Sequence, residues 1–130
     1  MKLYIAADDQ TAARHAAALC RRDGHTIVST WLNQPFNRTA EHTVDERQAL
    51  ADRDVDEVLA ADALVLLAGP EKCPGGKFVE AGIAIGCGSE VHVVGRIENM
   101  LLWSTAARHH ASVEAMLEDM RDAAAALEDE

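Results

Sequence analysis

The stretch ALVLLA at residues 63–68 is an uninterrupted apolar run in a chain that is 26% charged. A strand open to water on one face alternates apolar and polar side chains. An unbroken run is what a strand covered on both faces requires. Such coverage calls for helices above and below, and the flanking segments supply them. Residues 10–22 (QTAARHAAALCRR) are alanine-rich with apolar positions at helical spacing, and Asp23-Gly24 ends that helix because glycine accepts the left-handed geometry beyond a C-cap. Thr43-Val44-Asp45-Glu46 has capping-box spacing and starts a helix to about Ala61. A third helix follows the glycine/proline loop 69–76 (GPEKCPGG) and runs from about 77 to 87; a fourth runs from Ser112, its N-cap, to about Leu127. Further strands read at residues 2–7 (KLYIAA), 25–30 (HTIVST) and 91–95 (VHVVG), with a weak one near 106–110. The order β-α-β-α-β-α-β-(β)-α predicts an α/β protein with a parallel sheet and helices on both faces. The 130 residues suit one domain spanning 1–130.

Ligands in open parallel sheets bind outside the carboxyl ends of the strands, where the strand order reverses. Three loops converge there: residues 7–10, 29–42 and 69–76. The stretch 31–42 (WLNQPFNRTAEH) shows no periodicity and is expected as a long loop. A net charge of −10 argues against polymeric nucleic acid, whose phosphates an acidic surface repels, while leaving a small nucleotide open. The acid is concentrated near the C-terminus, at Glu114, Glu118, Asp119, Asp122, Glu128, Asp129 and Glu130, and reads as a solvated helix face. No apolar run approaches the roughly 20 residues of a membrane span. The opening MKLYIAADD reads as a strand rather than a signal peptide. Three cysteines, an odd number with no CxxC, fit reduced thiols in a cytoplasm, with Cys20 and Cys87 as small core residues. None of the six histidines has metal-ligand spacing, and GxGxxG, P-loop and GxSxG motifs are missing, so no metal or cofactor is expected.

The chemistry centres on GGKFVEAGIAIGCG at residues 75–88. Gly75 and Gly76 let a backbone approach a ligand closely at a helix N-terminus. Glu80 sits in the first turns of that helix among small and apolar neighbours. It is either a capping glutamate or a carboxylate held against the glycine loop as nucleophile or base. Asp62, at the start of the buried third strand, is a turn former or a ligand group. Asp8 and Asp9 follow the first strand; they bind sugar hydroxyls, share a proton, or cap the first helix. Lys72 and Lys77 flank the glycine loop and are point charges for a phosphate or solvated side chains. Cys73 lies in the same loop without a histidine nearby in sequence to activate it. Trp31, Phe36 and Trp103 lie in irregular segments, where a ring stacks on a base or anchors its loop.

Four stretches together resemble the nucleoside 2-deoxyribosyltransferase-like proteins, including the small versions of phages and bacteria. KLYIAA (2–7) is similar to the family's first strand. GHTIVSTWL (24–32) is similar to its Gly-His-Glu-Val strand and Ser-x-Trp-Leu. ADRDVDEVLAADALVLLA (51–68) is similar to its helix ending in Ala-Asp before the third strand. GGKFVEAGIAIGCGSEVHVVGRIEN (75–99) resembles Gly-Gly-Arg-His-Val-Glu-x-Gly-x-Ala, a strand, and Gly-x-x-Glu-Asn, and is the most specific of the four. The resemblance covers most of the chain. It implies a flavodoxin-like three-layer fold with a five-stranded parallel sheet in the order 2-1-3-4-5. It implies that Glu80 matches the nucleophile and Asp62 the aspartate that handles protons at the base. Asp8, Asp9, Trp31, Gly75, Gly76 and Lys77 would then contact a small nucleoside or nucleotide. Dimers or larger homo-oligomers are implied, with Asn99 and Met100 in the segment that borders a neighbour's pocket.

The chain departs from the family at three places. Asp8-Asp9 stands where many members have a nucleophile-orienting aromatic after the first strand. Cys73 and Pro74 replace the serine, threonine or aspartate that precedes the glutamate. Lys77-Phe78 replaces the Arg-His pair of the small versions. The expected activity is cleavage or transfer at an N-glycosidic bond through a glutamyl-glycosyl intermediate. A nucleotide-sensing relative without turnover, and a structural homodimer with a vestigial cleft, are the competing readings.

Overall fold

Five parallel strands form one sheet in the computed structural model, which describes residues 1–34, 42–69 and 75–129. In chain order they are β1 (Lys2–Ala6), β2 (Thr26–Ile27), β3 (Ala63–Leu67), β4 (Glu90–Val94) and β5 (Ala107–His110). Their spatial order is β2-β1-β3-β4-β5, the expected 2-1-3-4-5. The α-helices among the described residues are α1 (Gln10–Arg22), α2 (Val44–Ala60), α3 (Gly76–Gly86) and α4 (Val113–Glu128).

The central strand explains its own sequence. Ala63, Leu64, Val65 and Leu66 of β3 are at most 1% exposed, because helices cover both faces of the sheet. Side chains alternate across that sheet. Tyr4, Ala6, Leu64, Leu66, Val91 and Val93 pack with Val58 of α2 and with Ala81 and Ala84 of α3. Leu3, Ile5, Ala63 and Val65 face the opposite way, toward Ala13, Ala17 and Cys20 of α1 and Met116 of α4. In the register, Leu3 and Tyr4 of β1 lie opposite Ala63 and Leu64 of β3.

Helix ends follow the residues expected to make them. The Asp9 carboxylate accepts from the N–H groups of Thr11 and Ala12 at the start of α1. Thr43 and Glu46 form the reciprocal capping box of α2. Ser112 caps α4. Glu114, Glu118, Asp119 and Asp122 are exposed, as a solvated acidic face should be.

Three expectations need correcting. The second strand was expected over 25–30, but only Thr26–Ile27 pair with β1. The Ser29 hydroxyl accepts the Ile5 N–H at 3.0 Å, ending the ladder with a side chain in place of a carbonyl. The chain then tightens into a 3₁₀ turn over Thr30–Asn33, so the long loop begins with structure. The strand expected near 106–110 is present as the edge strand β5. Cys20 is buried as expected, whereas Cys87 is exposed at the C-cap of α3. Cys73, Pro74, Lys72 and Phe36 lie outside the described residues. Among the described residues, no helix is long and apolar enough to cross a membrane.

Candidate active site

Tyr4 points from the middle of β1 into the layer between the sheet and the α2–α3 pair. A phenol buried on an apolar strand requires a hydrogen-bond partner. The partner is Glu80: the Tyr4 hydroxyl donates to Glu80 Oε2. α3 delivers Glu80 to that position from a glycine start. Gly75 is its N-cap with φ +89°, left-handed backbone that a side chain would strain, and Gly76 is the first helical residue.

The second wall comes from α2. Asp54 and Glu57 are three residues apart and therefore neighbours on one side of the helix. Both raise the Glu80 carboxyl electrostatically. Glu57 is fixed by Thr30, whose N–H and hydroxyl reach its two oxygens at 3.0 and 2.7 Å. Trp31, beside Thr30, donates its indole N–H to the Ile5 carbonyl at 2.8 Å and packs on the core, which makes it the anchor of this turn.

Burial dominates the electrostatics. It pushes the Glu80 carboxyl up to about 7; the Tyr4 hydrogen bond works against the rise, and the charges of Asp54 and Glu57 add to it. Asp54 also titrates above its ordinary value, mainly from burial, with Arg53 at 3.1 Å partly offsetting it. The Tyr4 hydroxyl is held well above the usual phenol range by burial and by Glu80, and so remains a donor at any ordinary pH. Two carboxyls held above their ordinary values, one of them partly exposed and aimed by a phenol, can supply a nucleophile and a proton donor side by side. Among the described residues, no group of three or more His, Cys, Asp or Glu side chains is arranged to hold a metal ion.

The other expected residues divide. Asp8 and Lys77 meet at the carboxyl end of β1, with Lys77 Nζ 2.9 Å from Asp8 Oδ2. Asp9 caps α1. Asp62 is not brought to Glu80. It precedes β3, at the amino end of the sheet, where its Oδ2 accepts the Lys2 N–H at 2.7 Å. Parallel strands put every strand start at the end opposite the convergent loops, so Asp62 takes the turn-forming alternative. The Asn99 side chain caps the second 3₁₀ turn (Met100–Trp103) by accepting the Leu101 N–H, and Met100 is 79% exposed.

Tyr4, Asp54, Glu57 and Thr30 were not singled out from sequence. A phenol in the middle of a buried strand was the available signal for Tyr4. Asp54 and Glu57 carried none, because α2 is rich in exposed acids and only packing separates these two from the rest. Asp8 and Asp9 follow the first strand, and the ring that meets Glu80 comes from within that strand, at Tyr4. A cavity of about 320 Å³ lies at the other end of the sheet between Ser89, Glu90 and Arg108. It holds no buried charged group, so the chemistry argues for the Tyr4–Glu80 cluster instead.

No protein-family model matches the sequence, and no curated protein does. Solved structures share the fold. A 2-deoxyribosyltransferase from the psychrotolerant bacterium Bacillus psychrosaccharolyticus superposes with a TM-score of 0.72 at 19% identity, covering 90% of each chain. A conserved protein from Enterococcus faecalis V583 gives 0.66 at 21% identity, over 94% of this chain and 98% of that one. A CMP N-glycosidase from Clostridium botulinum gives 0.61 at 12% identity, over 93% and 99%. The flavodoxin-like architecture expected from the sequence is thus the architecture of proteins that act at N-glycosidic bonds.

Proposed function

We propose that this protein is an enzyme that cleaves or transfers at the N-glycosidic bond of a small deoxyribonucleoside or its monophosphate, with Glu80 as nucleophile. The observation that carries the reading is the half-buried Glu80 carboxyl, aimed by the Tyr4 hydroxyl in a fold shared with a 2-deoxyribosyltransferase and a CMP N-glycosidase. In its ionised form Glu80 attacks the anomeric carbon. The C–N bond breaks, its electron pair leaves with the base, and an ester forms between Glu80 and the sugar. Asp54, close enough to Glu80 to act on its charge, is the group assigned to the proton traffic at the departing base. It replaces Asp62 in that role. A second base or water then attacks the same carbon and frees Glu80. Gly75 and Gly76 admit the ligand, and Trp31 shapes the cleft rather than stacking on the base.

The reading extends to a homodimer in the cytoplasm. Met100, Leu101 and Trp103 are 79, 74 and 57% exposed on one 3₁₀ turn, a surface suited to a second copy of this chain that borders the cleft. The test is to incubate the protein with a panel of deoxynucleosides and deoxynucleotides, with and without free adenine, and to follow bases by chromatography. Base release or exchange that disappears in Glu80→Gln, and a mass adduct on Glu80 from a 2-fluoro-2-deoxy nucleoside, are expected. Full activity in Glu80→Ala refutes the assignment.

A further inference from the structure

Three consecutive residues join the strand that carries Tyr4 to the helix that carries Asp54 and Glu57. Both backbone polar groups of Ile5, the residue after Tyr4 in β1, are taken by the turn that follows β2. The Ser29 hydroxyl accepts the Ile5 N–H at 3.0 Å, and the Trp31 indole N–H donates to the Ile5 carbonyl at 2.8 Å. Thr30, between the two, reaches the other way. Its N–H and its hydroxyl donate to the two oxygens of Glu57 at 3.0 and 2.7 Å. The turn is itself braced from α1. Gln10 Nε2 donates to the Trp31 and Gln34 carbonyls at 3.0 and 2.6 Å, and Arg14 Nε donates to the Leu32 carbonyl at 2.6 Å.

A carboxylate on a helix surface ordinarily moves among several rotamers, and water and salt screen its charge. Glu57 is held at both oxygens, by bonds to a charged acceptor that are roughly twice as strong as neutral ones. The groups that act on the Glu80 charge are Tyr4 from β1 and Asp54 and Glu57 from α2, with Arg53 paired to Asp54. On the same face β3 and β4 supply Leu64, Leu66, Val91 and Val93, which carry no charge. One turn therefore sets two of the three groups: Tyr4 through its neighbour Ile5, and Glu57 directly. We propose that Thr30 is a positioning residue of this site: anchored to β1 on both sides, it holds the Glu57 carboxylate in fixed relation to the Tyr4–Glu80 pair. The proposal rests on the Glu80 reading. Thr30 acts through Glu57 and not on the substrate. A fixed anion near Glu80 opposes loss of the Glu80 proton, so the clamp sets the pH at which the nucleophile becomes available.

The test reads the acid limb of kcat/KM. Thr30→Val removes the hydroxyl and keeps the shape, and Glu57→Gln removes the charge. In each, the ratio of kcat/KM at pH 5.5 to kcat/KM at pH 8 rises about threefold, a limb moved down by about half a pH unit. A substitution that only weakened the fold would lower both values and leave the ratio alone. Thr30→Ser, which restores the donor, keeps the wild-type ratio, and Thr30→Val adds nothing in a Glu57→Gln background. An unmoved ratio in Thr30→Val or in Glu57→Gln overturns the proposal, and so does a Thr30→Val shift that persists in Glu57→Gln. Thr30→Ala takes the place of Thr30→Val if the valine variant does not fold. If the wild type turns over no nucleoside or nucleotide, the glycosidic reading falls by itself, and the comparison is read from the Glu80 carboxyl resonance by carbon NMR. A titration midpoint lowered by about half a pH unit in Thr30→Val then supports the proposal, and an unmoved midpoint overturns it.

Discussion

Replacing Glu80 by glutamine should stabilise the protein at alkaline pH and leave its stability unchanged in acid. In the folded chain the Glu80 carboxyl titrates at about 7 against an ordinary 4.5, chiefly because it is buried. The folded state therefore holds a proton that the unfolded chain releases, and wild-type stability falls as pH rises from 4.5 and levels off above about 7. At 1.36 kcal/mol per pKa unit the full difference is about 3 kcal/mol. Glutamine keeps the shape and a bond to Tyr4 but never ionises. The value of about 7 already includes the Tyr4 bond to the carboxylate, so the net gain at pH 8 is the full difference of about 3 kcal/mol. In a domain of this size that corresponds to a melting temperature about 9–15 °C above wild type. At pH 4.5 and below, where Glu80 is neutral, the two proteins should melt together. Thermal melts of both at half-unit steps from pH 4.5 to 8.5 measure the difference. A constant offset across that range, or a variant less stable at pH 8, would mean that Glu80 is solvated, and the case for a buried nucleophile would fail.

Removing the phenol tests the partner. Tyr4→Phe takes away the hydrogen bond that lowers the Glu80 carboxyl, so the acid limb of the kcat/KM profile should move above pH 7 and activity at pH 7 should drop about 10- to 100-fold. Asp54→Asn removes a charge that raises Glu80; the same limb should move below pH 7 while kcat falls about 100-fold for want of a proton donor, and an unmoved limb would separate Asp54 from the site. A different face governs acid stability. His92 Nδ1 lies 2.9 Å from His110 Nε2, and His110 Nδ1 lies 3.2 Å from the Asp119 carboxylate. Burial, with the charges of His110 and Arg108, pushes His92 down to about 4 despite Asp119, so the fold favours the neutral ring. Stability should then fall as pH drops from 6.5 toward 4, by up to about 3 kcal/mol. Urea melts of His92→Phe should show that slope flattened, and an unaltered slope would relieve His92 of the role.

The layers were legible because burial leaves a one-dimensional trace. The unbroken run at 63–68 belongs to the one strand whose neighbours and covering helices leave no wet face. The capping box at Thr43 and the N-cap at Ser112 mark their helices through local hydrogen bonds. Where the expectation slipped, a non-local bond decided the matter. Ser29 ends β2 because its hydroxyl reaches Ile5, a residue 24 positions earlier. Cys87 faces solvent because α3 stops at Gly86, one residue before it.

Glu80 itself was legible, as a lone acid placed where packing gives an acid little to do. Its surroundings were not. Tyr4, Asp54, Glu57 and Thr30 come from a strand, a helix and a turn scattered over more than fifty positions, and Asp54 looks in sequence like any acid of α2. Asp62 shows the converse: adjacency to a buried strand marks it, but the direction of that strand carries it to the wrong end of the sheet. The sequence alone determines an alternating α/β layout, a carboxylate behind a glycine pair and an acidic surface, because periodicity and local capping act over a few residues. Tertiary structure decides which carboxylates share a cleft, which phenol aims one of them, and which aspartate holds Lys77, because desolvation and charge coupling depend on distances that only the assembled layers set.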